Sequence, residues 1–377
     1  MKKIALITPF PPYRGGISVH SKNLYDTLSS HGEVVVYNFL KQYPDFLFPG
    51  KTQYDNNLIA TENYNVIRIL DTINPLSWKK VSDSIIKNNF DKVIFRFWNP
   101  FFSLCYASIA KRLKKYNKNI QLYSICDNII PHEKIIFQEN LIKFFLNQLD
   151  GIIIMSDSSE KELLKLDKTY NYKKIFLPII TNLGRQLEYN VSKKEIGLKP
   201  TSNVFLFFGL IRKYKGLDIL LNAINKLDLD FVSKSDFLIV GESYENIDKY
   251  KNILDNDKKS HVKWITKYIP DNKINLYFSA SDYIVLPYKT ASQSGIIPMA
   301  YHFKKPVIVS KIEGLLENVI DGETGYIFNN SNIYDLKNIL EECIKNDNPI
   351  IPEKIEKLKN KLSTENFVEE LISFIYE

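Results

Sequence analysis

A chain of 377 residues is long for one domain and sufficient for two, each with its own core. Hydrophobic residues make up 45% and charged residues 25%, which excludes a disordered chain, while a dispersed net charge of +7 and the lack of any recognised binding module speak against a nucleic-acid partner. Three cysteines, Cys105, Cys126 and Cys343, are odd in number and unpatterned, which excludes a disulfide framework or a cysteine-rich metal module.

From the start, MKKIALITPF carries two lysines and then four apolar residues, too short a run for a signal peptide, and it reads as a first strand. No window approaches 18 consecutive apolar residues, so no bilayer span is expected and the cytoplasm is the expected compartment. Further strands are predicted at 33–38, 66–70, 92–97, 121–126, 151–155 and 174–177, with helices at 18–30, 78–87, 104–115, 139–148 and 159–166. The basic run at 111–118 follows an apolar helical stretch and reads either as a solvated helix end or as a peripheral contact with the inner face of the membrane. The polar stretch at 181–202 is assigned as a linker between an N-terminal domain, 1–180, and a C-terminal domain, 203–350. In the second domain strands are predicted at 204–208, 237–240, 262–265, 283–286, 307–310 and 325–328, and helices at 216–226, 244–255, 271–279, 296–303 and 333–344. The tail, 351–377, reads as two more helices that could pack back on the first domain. Strands alternating with helices predict α/β architecture: two Rossmann-like, doubly wound domains, with ligand bound at the carboxyl ends of the strands.

Three loops suit an anion. After the first strand, PPYRGGISVH (11–20) sets Gly15 and Gly16 before a helix, where the backbone can approach a pyrophosphate or simply make a tight turn. The dinucleotide fingerprint GxGxxG is absent, which counts against a dehydrogenase. In FFGLIRKYKGLDILL (207–221) a strand ends at Gly209, Arg212 and Lys215 follow, and Gly216 opens a helix, an arrangement suited to a diphosphate or to a solvated basic loop. In SDYIVLPYKTASQSGIIPMAYHFKKPVIVS (281–310) the amides of Ser294, Gly295 and Ile296 stand at a helix start. Two phosphate-suited loops in one domain imply a nucleoside diphosphate.

With EGLLENVIDGETGYIF (313–328), these segments in this order resemble the bacterial family 4 retaining glycosyltransferases. The resemblance implies a GT-B fold, two Rossmann-like domains facing a central cleft, with the acceptor on the first and a nucleotide-sugar donor on the second. It implies that Arg212 and Lys215 contact the donor diphosphate with Gly209, Gln293, Ser294, Gly295 and Ile296, and that Gly15 and Gly16 approach the transferred sugar. The sequence departs from the family in three places. Leu210 stands where many members have arginine, and the paired glutamates are replaced near Ala291 and Met299, leaving Glu317 as the candidate for the ribose. The histidine expected after 121–126 is replaced by Asp127, with His132 five residues on. Either residue could approach the sugar or cap a helix. His20 and Trp98 are acceptor-side candidates, His20 serving equally as a structural histidine, and the aromatic segments 42–51 and 95–102 could stack on sugar or lipid or pack in the core.

The expected reaction is transfer of a hexosyl group from a UDP- or GDP-sugar to a glycan or lipid-linked acceptor in surface polysaccharide or glycolipid synthesis. It would proceed with retention, its leaving diphosphate stabilised by Arg212, Lys215 and backbone amides. No metal or other cofactor is expected, since there is no DxD motif, HExxH or His/Cys cluster. A GT-B-like nucleotide-sugar epimerase and a non-catalytic nucleotide-sugar-binding partner are the rival readings; a glycosidase-like carboxylate pair would leave the phosphate loops unexplained.

Overall fold

A computed structural model of the chain describes residues 3–44, 53–54, 63–130, 138–179, 183–243, 245–346 and 349–377. The chain divides into two compact units, Met1–Pro178 with Thr364–Glu377, and Ile179–Ser363.

The first unit holds strands β1 (Lys3–Ile7), β2 (Glu33–Lys41), β3 (Val66–Asp71), β4 (Lys92–Phe97), β5 (Gln121–Cys126), β6 (Gly151–Ile154) and β7 (Tyr172–Lys174). They pair in parallel in the order β3-β2-β1-β4-β5-β6-β7. Helices α1 (Gly16–Leu28), α2 (Pro75–Lys87), α3 (Ser103–Tyr116), α4 (Gln138–Leu146) and α5 (Asp157–Leu166) connect them. Both faces of the sheet are covered, so central strands read as unbroken apolar runs. In β4, Val93, Phe95 and Phe97 join the core shared with α2, α3 and α4, and Ile94 joins the opposite core with α1. Helix α2 starts where Asn74 accepts from the Leu76 amide and proline fills the first turn.

The second unit repeats the plan with β8 (Asn203–Phe208), β9 (Ser235–Val240), β10 (Val262–Ile265), β11 (Tyr283–Leu286), β12 (Val307–Ser310) and β13 (Gly325–Phe328), ordered β10-β9-β8-β11-β12-β13 and parallel. Its helices are α6 (Tyr189–Ile196), α7 (Leu217–Lys226), α8 (Leu229–Ser233), α9 (Ile247–Lys251), α10 (Asp271–Ser279), α11 (Ile296–His302), α12 (Glu313–Leu316), α13 (Ile333–Lys345) and α14 (Pro352–Lys361).

Several boundaries differ from the sequence reading. The stretch at 181–202 is not a linker: it contains α6, whose Tyr189 hydroxyl donates to both Asp282 oxygens at 2.9 and 2.8 Å while buried Lys193 donates to the carbonyl of Ser202 at 2.5 Å. Polar side chains that serve as internal tethers look like linker composition when read alone. The two tail helices part company, α14 packing on α11 of the second unit and α15 (Thr364–Tyr376) completing the first. Phe367, Val368, Leu371 and Ile375 are buried there against α1 and the sheet, each such side chain worth about 1.5–3 kcal/mol. The helix expected at 244–255 shortens to α9, and β7 lies earlier than expected. No helix among the described residues is long and apolar enough to cross a membrane.

Candidate functional site

In an open α/β sheet the ligand crevice lies outside the carboxyl ends of the strands where the strand order reverses. In the second unit that point falls between β8 and β11. The loops leaving these two strands are the Gly209–Gly216 and Pro287–Gly295 segments singled out above.

Gly209 turns the chain with φ 107°, and a Cβ there would come within 2.9 Å of Lys215 Nζ, so glycine leaves the ammonium its place. A 3-10 turn, Lys213–Lys215, follows half-buried Arg212, and Gly216 at φ 64° caps α7. A Cβ on Gly216 would sit 1.8 Å from the Pro287 carbonyl oxygen, which shows how closely the two loops touch. They are stitched further: the Lys289 amide donates to the Tyr214 carbonyl at 2.7 Å, and Lys289 Nζ pairs with Asp218 at 2.6 Å. A scaffold tied in this way holds its charges in place before a ligand arrives.

Lys215 is the unusual member. It is 9% exposed, its ammonium lies 5.2 Å from the centre of the Tyr288 ring, and among the described residues it has no carboxylate ion-pair partner. Burial pulls its pKa below the usual lysine value, and neighbouring Arg212 pushes in the same direction. An ammonium kept desolvated without a carboxylate partner is suited to an anion. On the second loop Ser294 is buried, its Oγ accepts from the Ile296 amide at 3.3 Å, and Gly295 is exposed with open space before its backbone. Gln293 and Ile296 are half-buried, and Glu317 is exposed at the end of α12. Met299, near the place of the second missing glutamate, is buried in α11.

In the first unit the strand order reverses between β1 and β4. The loop after β1 is fixed by buried Asn38, which accepts from the Phe10 amide at 3.1 Å and donates to the carbonyls of Phe10 and Pro11 at 3.0 and 3.2 Å. Gly15, at φ 106°, caps α1, and both it and Gly16 are exposed with no atom within 4 Å of a would-be Cβ.

Three candidates of the first unit stand in buried contacts. His20 faces inward, 4% exposed, and its Nδ1 lies 2.6 Å from the Arg96 guanidinium. Since arginine can only donate, Nδ1 accepts and the neutral ring carries its proton on Nε2, which has no partner among the described residues. Asp127 is the carboxylate partner of buried Arg96, which donates to both its oxygens, Nε at 2.6 Å; a carboxylate so occupied is an anchor. Trp98 donates to the Tyr43 hydroxyl at 3.0 Å and packs 4.1 Å from Phe102, within an aromatic cluster of the core. His132 and residues 45–51 lie outside the described residues. The sequence reading passed over Arg96 and Tyr288, although a lone arginine in the apolar strand KVIFRF was the signal of a buried pair. Among the described residues no group of three His, Cys, Asp or Glu side chains is arranged to hold a metal.

The buried histidine gives stability a pH dependence. Burial and the Arg96 charge hold His20 well below its usual pKa, and His302 is lowered chiefly by burial as well. The unfolded chain therefore takes up these protons first as pH falls, so stability is complete above about pH 6.5 and declines below it. Thermal midpoints measured between pH 5 and 7.5 are expected to fall toward pH 5, with a smaller slope in His20→Phe.

Residues 189–363 match the family model described as Glycosyl transferases group 1. An uncharacterized glycosyltransferase of Methanocaldococcus jannaschii is 23% identical across 92% of this chain and 89% of its own length. A protein of the cps region of Klebsiella pneumoniae is 32% identical over 38% of this chain and 35% of its own. Among solved structures, Anabaena HepE in complex with UDP superposes with a TM-score of 0.72 at 17% identity, covering 99% of this chain and all (100%) of that one. The chain thus has the GT-B fold of its structural neighbours, and its residues 189–363 match the group 1 glycosyltransferase model.

Proposed function

We propose that the chain transfers a hexosyl group from a UDP- or GDP-sugar to a glycan or lipid-linked acceptor, with retention and without a metal, in the building of a surface polysaccharide or glycolipid. The observation that carries the reading is Lys215 at the switch point of the second unit, buried and without a carboxylate ion-pair partner among the described residues. As the bond to the anomeric carbon breaks, negative charge grows on the leaving diphosphate. Lys215 and Arg212 supply positive charge there, and the amides of Ser294 to Ile296 supply donors. The UDP bound to the Anabaena neighbour and the cps setting of the Klebsiella relative support a nucleotide-sugar donor and a polysaccharide product. A cytoplasmic site of action with peripheral contact to anionic lipid is supported by exposed Leu76 and Leu104 on the same helices as exposed Lys79, Lys80, Lys111 and Lys115.

A thermal-shift and calorimetric screen against UDP, GDP, ADP and their sugar conjugates tests the donor. One nucleotide at 100 times its Kd is expected to add about 2.7 kcal/mol to the wild type and nothing to Lys215→Ala. A wild type that binds none of them sinks the reading.

A further inference from the structure

We propose that Tyr288 is a positioning residue that couples the Lys215 ammonium to the Ser294 loop, so that both loops grip a nucleoside diphosphate as one piece. The proposal rests on the donor-site reading above. Tyr288 follows Pro287 where β11 ends, and its side chain is buried, 3% exposed. One face of its ring lies against Lys215 Nζ at 5.2 Å. Its side chain stands on the same loop as Ser294, whose hydroxyl lies near enough to act on the buried phenol and accepts from the Ile296 amide at 3.3 Å. Its carbonyl accepts from Ser310 Oγ at 2.5 Å, and Tyr214 meets the ring edge-on at 6.3 Å, so the tyrosine itself has little freedom.

The choice of an aromatic partner has a chemical consequence. A carboxylate beside Lys215 would fix the side chain equally well but would cancel the charge that the diphosphate needs. An aromatic face attracts an ammonium through its quadrupole and leaves the full charge available. The same ring then transmits the position of the lysine to the serine loop through a single hydroxyl, and a flexible four-carbon side chain is ordered before binding. The lowered pKa of Lys215 agrees with this, since burial without a countercharge is its leading cause.

The test compares wild type, Tyr288→Phe and Tyr288→Leu by calorimetry with UMP against UDP and GMP against GDP. The wild type is expected to prefer the diphosphate of its own base. Tyr288→Phe keeps the ring and loses the hydroxyl, so diphosphate affinity is expected to fall about fivefold, the worth of one hydrogen bond. Tyr288→Leu loses both links, and the fall is expected to reach about thirtyfold or more. Monophosphate affinity stays unchanged in both, and the ligand-free thermal midpoint of Tyr288→Phe stays within about 3 °C of wild type. Two results overturn the proposal: variants that keep the full preference for diphosphate, or variants in which monophosphate and diphosphate affinity fall together with the midpoint, as a merely structural tyrosine would give. A wild type that binds neither nucleotide defeats the donor-site reading, and the proposal with it, before any variant is compared.

Discussion

Lys215→Met is expected to make the ligand-free protein more stable and to remove most of its activity. The side chain is buried, 9% exposed, and has no carboxylate ion-pair partner among the described residues, so the folded chain carries the desolvation cost of its ammonium until an anion binds. A methionine of similar length fills the same space beside Gly209 and Tyr288 without that cost. Urea unfolding is expected to show a gain of about 1–2 kcal/mol, the usual return when a strained functional group is replaced. Transfer measured as kcat/KM is expected to fall about 100- to 1,000-fold, the range seen when a preorganised donor to a developing anion is lost. The two effects have opposite signs, and that separates a ligand-binding lysine from a structural one. A structural Lys215 would lose stability on substitution, and an activity loss would then follow from unfolding.

Most of the architecture was legible because both sheets are parallel and covered on both faces. A strand such as VFLFF is then apolar throughout, and the amphipathic helices between such strands announce the crossovers. The two loops at the switch point of the second unit were legible for a related reason: Gly209, Lys215 and the serine loop are local in sequence, each strung between a strand end and a helix start. The residues that were missed act across sequence distance. Tyr288 matters through Lys215, 73 positions earlier by the numbering, and Arg96 through Asp127 and His20, contacts that only folding creates. The linker misreading has the same root, since Tyr189 and Lys193 become internal only when Asp282 and Ser202 meet them. Asp127 was placed in a catalytic role because the resemblance put it where a histidine belongs. Its partner on the neighbouring strand, β4, offers it another task, as the anchor of a buried arginine.

That task sets the second large effect, in the first unit. Arg96→Leu is expected to lower the unfolding free energy by about 3–5 kcal/mol, because removing one member of a buried ion pair leaves the other charge desolvated and unpaired. Asp127→Asn, which keeps the shape and removes the charge, is expected to cost a comparable amount, since the Arg96 guanidinium, 3% exposed, then lacks its countercharge. The double variant Arg96→Met/Asp127→Leu is expected to recover most of either loss, because buried ion pairs replaced by apolar residues of similar volume are often no less stable. Urea unfolding of the four proteins gives the coupling, and transfer assays on the double variant decide the chemistry. A folded double variant with activity within about tenfold of wild type fixes Asp127 as an anchor, whereas a folded variant with a loss of about 100-fold or more, the scale of a lost general base, would return it to the reaction. His20 reports on the same event. Burial is the larger cause of its lowered pKa and the Arg96 charge the second. Removing Arg96 is therefore expected to raise the histidine's pKa only part of the way, so that the acid loss of stability in Arg96→Leu becomes shallower than in wild type but does not vanish.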